Sequence, residues 1–335
     1  MPAKRRKQLA LPIRFGMIGC GGNAQGHMKR LLTDGRAEIV ALCDLAPAAL
    51  ERTVQNYSQL ADAPQFTDHR KMLQAVKLDA VEISTAHTAH YSQIMDSLKA
   101  GLHVLTEKPM VCTTAHAKRV IKLQQETGLV VGVAYQRHFQ APYRFCRELI
   151  ASGRLGKVNF ISALQSQNWL PNALTRWRGV PELSGGGQLN DSGSHLLDII
   201  LWMTDLEPAE VFAFSDNLTA QVDILTAIAC KFRGGALCNI SVVGHSVDWH
   251  EDISIWCEQG SLYLRGSEVQ VSDQDGTRTA DLSGQKSWDP DTNFLEALEG
   301  KDEVQAPPVC GLRTIQLTEA TWNSAASGQP EKAKR

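Results

Sequence analysis

The chain has 335 residues, 43% hydrophobic and 21% charged, and its 34 Lys and Arg against 36 Asp and Glu leave a formal net charge of -2. That balance excludes a disordered or fibrous polymer and supplies no broad positive field for nucleic acid or an anionic membrane; no apolar run reaches the roughly 18 residues of a spanning helix. The length is that of about two domains, and the partner left open is a small molecule or a second subunit.

The opening "MPAKRRKQLALPIRF" has a basic cluster, then a short apolar stretch broken by Pro12 and Arg14, without a small-residue cleavage site. It reads as a flexible basic arm over residues 1–12, not as a signal peptide. "IRFGMIG" from Ile13, "EIVALCD" from Glu38, "DAVEIST" from Asp79, "HVLTE" from His103 and "VVGVAY" from Val130 are rich in Val and Ile and lack a helical period, so they read as strands buried on both faces. Four stretches between them carry apolar residues at helical spacing, three closing on Gly35, Gly101 or Gly128 as stop signals. Repeated β-α units predict a parallel, doubly wound sheet over residues 13–135.

After Tyr135 a helix-like "PYRFCRELIASGRLG" leads into closely spaced runs, "KVNFISALQSQ", "ILTAIACKF", "GALCNISVVG" and "DISIWCEQGSLYL", with turn residues at Gly234 and Gly235 and at Gln259 to Ser261. These predict an α+β domain over residues 136–335 with a mostly antiparallel open sheet, ending in a frayed "EKAKR". Eight cysteines are scattered without a C-x-x-C pair, as buried thiols of a reducing, cytoplasmic compartment would be.

The first chemical motif is "GMIGCGGNAQG". Gly19, Gly21 and Ala24 form G-x-G-x-x-A between a strand and a helix, where the backbone turns tightly toward a pyrophosphate and the helix N-terminus offers unpaired N–H groups; Gly22 and Gly26 add slack. The next strand ends in Asp44, placed to hold the ribose hydroxyls of an adenosine, so the doubly wound sheet reads as a Rossmann domain. An acid there repels a 2′-phosphate, which favours NAD over NADP. The other reading is a plain β-α turn with Asp44 capping the following helix.

"LTEKPM" then gains a position. Ligands of such sheets lie outside the carboxyl ends of the strands, so Glu107 and Lys108 are delivered to the rim where a nicotinamide rests, and Pro109 ends the strand. The bland alternative is a surface ion pair. "SGGGQLNDSGSHLLDIILW" places Asp191 and His195 one helical turn apart, facing the same way. A histidine near neutral pKa can take the proton of an alcohol as hydride leaves, with a carboxylate orienting it; a helix cap and a half-buried histidine are the alternatives.

The glycine motif, "STAHTAHYSQIMDSLKAGLHVLTEKP", "YQRHF" and "GGGQLNDSGSHLLDIILW", in order and spacing from about Ile13 to Trp202, resemble the family of glucose-fructose oxidoreductase, inositol dehydrogenase and MocA proteins. "GLRTIQLTEATWNSAASGQP" resembles that family's closing helix. The resemblance implies an NAD(P)-dependent oxidoreductase acting on a CH-OH group of a sugar or cyclitol, without a metal. Lys108 takes the place of the family's catalytic lysine, often beside a cis peptide to the following proline, with His195 as general base and Asp191 beside it. Gly19, Gly21, Gly22, Asn23, Ala24, Asp44, Thr85, His90, Glu107, Lys108 and Gln136 fall where the cofactor is held, with Trp177 and Arg178 on a loop over the nicotinamide. Lys108, Arg137, Trp169, Asp191 and His195 are the substrate-side positions. A homodimer or homotetramer through the second domain's sheet is expected by analogy.

The chain departs from the family at Thr85, Ala86 and His87, where "TP-N" is frequent, and His87 reads as a surface residue at a helix start. Residues 165–187 hold two Trp, two Arg and two Asn, a mix suited to stacking on sugar rings and bonding hydroxyls; an irregular loop with Trp169 and Trp177 plugging the core is the other reading. Two rival functions remain. A glycosidase or isomerase recycles NAD through a transient keto-sugar, with Tyr135, His138 or His90 taking an α-proton. A ligand-sensing module has no turnover, and the Lys108, Asp191 and His195 set argues against it.

Overall fold

The computed structural model describes residues 9–334, which divide into two compact units. The first comprises residues 9–111, 115–135 and 288–309. Its strands β1 (Ile13–Ile18), β2 (Ala37–Cys43), β3 (Gln65–Phe66), β4 (Ala80–Ile83), β5 (His103–Thr106) and β6 (Val131–Val133) form one parallel sheet in the order β3-β2-β1-β4-β5-β6. Between them run α1 (Gly22–Asp34), α2 (Pro47–Asn56), α3 (His69–Ala75), α4 (His87–Lys99) and α5 (Thr114–Thr127). Gly35, Gly101 and Gly128, the predicted stops, have φ of 77°, 81° and 71° in the left-handed region that glycine enters at least cost. β3, two residues long, is too short to leave a periodic signal.

Residues 288–309 correct the expected assignment of 136–335 to one domain. The helix Pro290–Leu298 returns to the first unit and sets Phe294, 1% exposed, edge-on to Phe15 with ring centroids 6.2 Å apart. Val133 of β6 donates to the Ala306 carbonyl at 2.9 Å, so the returning chain also satisfies the edge strand. A return of this kind has no local signature. Residues 1–8 of the expected arm lie outside the described residues, and Leu9 already packs against this unit's core.

The second unit comprises residues 112–114, 136–287 and 310–334. Its sheet is built from β7 (Val158–Asn168), β8 (Pro208–Asp216), β9 (Leu225–Phe232), β10 (Leu237–Val243), β11 (His245–Cys257), β12 (Ser261–Arg265), β13 (Glu268–Asp273), β14 (Gly276–Thr279) and β15 (Glu331–Lys332), in the order β14-β13-β12-β11-β7-β10-β9-β8-β15. Every pair is antiparallel except β7 with β10. Ile228, Cys230 and Phe232 are buried while Ala227, Ala229 and Lys231 are exposed, the alternation of a sheet with one packed face. That face joins α6 (Ala141–Ala151) and α9 (Gly193–Thr204) in one core. Within the terminal "EKAKR", residues 331–334 are not frayed as expected: β15 pairs with β8, and Ala333 is 6% exposed, while Arg335 lies outside the described residues. All eight cysteines are free thiols. Among the described residues no helix is long and apolar enough to cross a membrane.

Phe294→Ala should destabilise the first unit by about 3–5 kcal/mol, the usual cost of removing a fully buried phenyl. Urea unfolding followed by a probe in that unit measures it, and an unchanged midpoint would show that residues 288–309 are not part of its core.

Candidate functional site

The first unit carries the glycine turn between β1 and α1. Gly19 has φ of +98° and a Cβ there would meet the Ser84 carbonyl oxygen at 2.3 Å, so no other residue fits without moving β4. No side chain caps α1, and a Cβ on Gly21 or Gly22 would meet nothing within 4 Å, so the helix start is uncapped and uncrowded, the setting that binds an anion. Asn23 shares that exposed turn, while Ala24 is fully buried and lets α1 lie close to the sheet. Asp44, at the end of β2, accepts from the Cys20 N–H and the Ala46 N–H, both at 2.8 Å, which ties it to the glycine turn as well as to the start of α2. This donor set suits the pyrophosphate and adenosine ribose of a dinucleotide.

At the end of β5, Glu107 accepts from the backbone N–H of Lys108 at 3.0 Å and lies 3.3 Å from His27 Nε2. The acid is therefore tied inward as well as to its neighbour's backbone, which departs from a plain surface ion pair. The peptide between Lys108 and Pro109 is cis, as the resemblance implied. His90, expected beside the cofactor, is fully buried: its ring nitrogens lie 2.9 Å from the Pro109 carbonyl and 3.2 Å from the Thr85 carbonyl, joining the turn after β4 to the turn after β5. Burial pushes its pKa down, against the pull of those carbonyls. Thr85 donates to Gln93 at 2.6 Å. His87 begins α4 but is 3% exposed, with its ring against His90, so the expected surface position is corrected.

Behind Glu107 lies a buried charge cluster. His27 Nδ1 is 2.8 Å from Asp291 and its Nε2 is 3.7 Å from Glu82; Arg30 bonds the other oxygen of Asp291 at 2.5 Å, and Ser84 donates to Glu82 at 2.5 Å. Burial would push the His27 pKa down, but Glu82, Asp291 and Glu107 together hold it well above the ordinary range. Burial pushes Glu82 up to about 8.

In the second unit the structure moves Asp191 off the helix. α9 begins at Gly193, so His195 sits in its first turn and Asp191 in the turn ahead. That turn is fixed by Asp223, whose carboxylate accepts from the N–H groups of Gly187 at 3.0 Å and Leu189 at 2.8 Å; a Cβ on Gly187 would meet the Asp223 carbonyl at 2.1 Å, which explains a glycine in the run. Asp191, 4% exposed, accepts from Trp169 Nε1 at 2.9 Å and from Arg178 Nε at 2.7 Å. A buried carboxylate requires such partners. Trp169 and Arg178, assigned by resemblance to substrate and cofactor, are thus Asp191's partners, and Arg178 also lies over the Trp177 ring at 4.5 Å.

His195 lines a different feature, a cavity of about 560 Å³ shared with Gln136, Arg137, Tyr143, Trp249 and Glu251. Gln136, expected beside the cofactor, is exposed at this cavity. Along β7 the inward residues run Ile161, Ala163, Gln165, and along β11 Ile255, Ile253, Glu251; Gln165 and Glu251 are cross-strand partners. The apolar face turns polar there and the cavity begins. Glu251 was missed from sequence, although an acid in phase with two inward isoleucines is a readable signal. Tyr143 left no comparable signal.

Tyr135, His138 and His90, the candidates for α-proton removal, are all buried at 1% exposure or less. One group among the described residues, His138, Asp198 and Cys310, has spacing that could hold a metal. His138 Nε2 and Asp198 Oδ2 are 2.6 Å apart, a hydrogen bond and closer than the roughly 3.3 Å between two ligands of one tetrahedral zinc.

Glu82 and His27 both have folded-state pKa values above their unfolded ones. The folded chain therefore keeps protons that the unfolded chain releases, and this stability is complete at low pH and lost as pH rises. For Glu82 the window runs from the ordinary carboxylate range to about 8. Thermal midpoints should decline from about pH 5 to about pH 8, and Glu82→Gln should flatten the decline; an equally steep decline in the variant would remove Glu82 as its source.

Two family models match the chain: one described as an oxidoreductase family with NAD-binding Rossmann fold over residues 13–135, the other as the GFO/IDH/MocA C-terminal domain over residues 143–263, together more than half of it. A 1,5-anhydro-D-fructose reductase of Ensifer adhaerens is 25% identical, with 94% of this chain and 97% of that protein covered. An inositol 2-dehydrogenase of Burkholderia multivorans is 21% identical, with 83% and 90% covered. The WlbA dehydrogenase from Bordetella pertussis, solved in complex with NADH and UDP-GlcNAcA, matches with a TM-score of 0.83 at 25% identity, covering 96% of this chain and 98% of that one. With both of its domains matched and the glycine turn in place, the chain belongs to the sugar and cyclitol oxidoreductase family of glucose-fructose oxidoreductase, inositol dehydrogenase and MocA.

Proposed function

We propose that the protein oxidises a ring hydroxyl of a sugar, sugar derivative or cyclitol with NAD, using Lys108 and His195 for proton transfer. The observation that carries this reading is His195 at the wall of a cavity lined by amides, hydroxyls and an indole, in a chain that also carries an uncapped, glycine-turned helix start. The Lys108 ammonium donates a hydrogen bond to the reacting oxygen and stabilises its developing negative charge. His195 takes the hydroxyl proton. Asp191, clamped by Trp169 and Arg178, positions the turn that presents His195. NAD supplies the hydride acceptor. Asp44 favours the free ribose hydroxyls of NAD over a 2′-phosphate by charge.

The same reading extends to setting and assembly. Phe160, Phe214 and Leu237 are 38%, 68% and 47% exposed on strands of the second unit, apolar surface that a homodimer or homotetramer would cover. Eight free thiols suit a reducing cytoplasm.

Nicotinamide absorbance, followed with NAD and a panel of sugars, cyclitols and aryl glycosides, tests the reaction. Steady NADH growth with one of them is expected; aglycone release without NADH would replace the proposal by the NAD-recycling reaction. Lys108→Ala should lower kcat by about 10²- to 10⁴-fold and leave NAD binding largely intact, and a near-normal rate would remove Lys108 from the chemistry. Asp44→Ala should raise KM for NAD and narrow the preference over NADP, so an unchanged cofactor ratio would place that discrimination elsewhere.

A further inference from the structure

We propose that the cavity of the second unit selects uncharged glycosides and polyols over their carboxylated counterparts, and that Glu251 is the residue that sets this selectivity. The proposal rests on the sugar-pocket reading above and deepens it.

The charged side chains lining the cavity, His195 aside, are Arg137 and Glu251. They are 6% and 8% exposed, and Arg137 Nη2 donates to Glu251 Oε2 at 2.5 Å. Tyr143 donates its hydroxyl to the other oxygen, Oε1, at 2.8 Å. Both oxygens of Glu251 are therefore engaged within the unit, and the pair brings no net charge to the cavity.

An arginine in a sugar pocket would ordinarily act as a carboxylate clamp, because its planar fork matches the two oxygens of a carboxylate and it does not give up its proton. Here one arm of the fork, Nη2, is already committed to Glu251. A ligand carboxylate approaching Arg137 would meet the Glu251 carboxylate on the same guanidinium, and like charges in a poorly solvated site repel strongly. Arg137 Nη1 has no protein acceptor but is itself buried, so it presents no accessible second arm for a carboxylate to grip.

The remaining lining agrees. Gln136 and Gln140 contribute amides, Ser192, Ser267 and Ser287 contribute hydroxyls, and Trp249, 54% exposed, offers an indole face for the C–H side of a pyranose. These groups donate to and accept from hydroxyls, and none balances an anion.

The test takes the glycoside that forms NADH in the panel together with the same compound oxidised to the carboxylate at its primary alcohol, and titrates each into NAD-loaded protein by calorimetry. The wild type should bind the uncharged form at least tenfold more tightly. Glu251→Gln, which uncovers the Arg137 charge while preserving side-chain shape, should erase or invert that ratio. The double variant Arg137→Gln with Glu251→Gln, neutral again, should restore it, and it carries the test if the single variant does not fold. Equal or tighter binding of the carboxylate by the wild type, or an unchanged ratio in the folded Glu251→Gln variant, would overturn the assignment. NADH formation with a carboxylate preference would overturn this selectivity alone, whereas a panel in which no sugar binds or forms NADH would take down the sugar reading and this inference with it.

Discussion

Burying an ionisable group without partners is costly, whether it keeps its charge or must hold a proton to lose it, and the functional ends of both units are arranged around that constraint. In the first unit Glu82 is an acid inside β4, in a parallel strand that would otherwise be apolar, and it obliges the neighbourhood to supply His27, Ser84 and the carboxylates around the imidazole. Through His27 that cluster reaches Glu107, whose other oxygen holds the backbone of Lys108. In the second unit the same constraint places Trp169 and Arg178 on Asp191, and Arg137 and Tyr143 on Glu251. Positioning and compensation are thus done by the same hydrogen bonds, so a substitution in one partner disturbs both.

Much of the fold was legible because the signals are local. The five longer strands of the doubly wound sheet differ from their helices in period, and the stop glycines mark where the helices end. Gly19 is legible for a sharper reason: the turn demands a left-handed residue beside a carbonyl that leaves no room for a Cβ. The expected places of Asp44 and Lys108, just past the carboxyl ends of two strands, are where the structure has them.

What was illegible depends on contacts between residues far apart in the chain. Nothing near Asp191 announces that its partners are Trp169 and Arg178, which lie 22 and 13 positions earlier. The helical spacing of Asp191 and His195 was a correct count and an incorrect inference, because Asp223 holds the preceding turn open and the helix starts two residues after Asp191. Glu251 stood in plain view in an alternating strand, where an inward acid marks the end of an apolar face. Family membership accounts for the architecture around these positions.

The returning segment has a consequence for how the chain is made. The sheet of the first unit is complete at Val133, but Phe294, which packs against Phe15, emerges only after residues 136–287 of the second unit have been synthesised. At about 5–20 residues per second the ribosome takes roughly 10–30 s to cover that interval, and through it the nascent sheet keeps an apolar face that no part of the chain yet exists to cover. The unit begun first therefore stays unfinished while most of the second is made. A truncation anywhere before residue 288 leaves a dinucleotide domain with its core open to water.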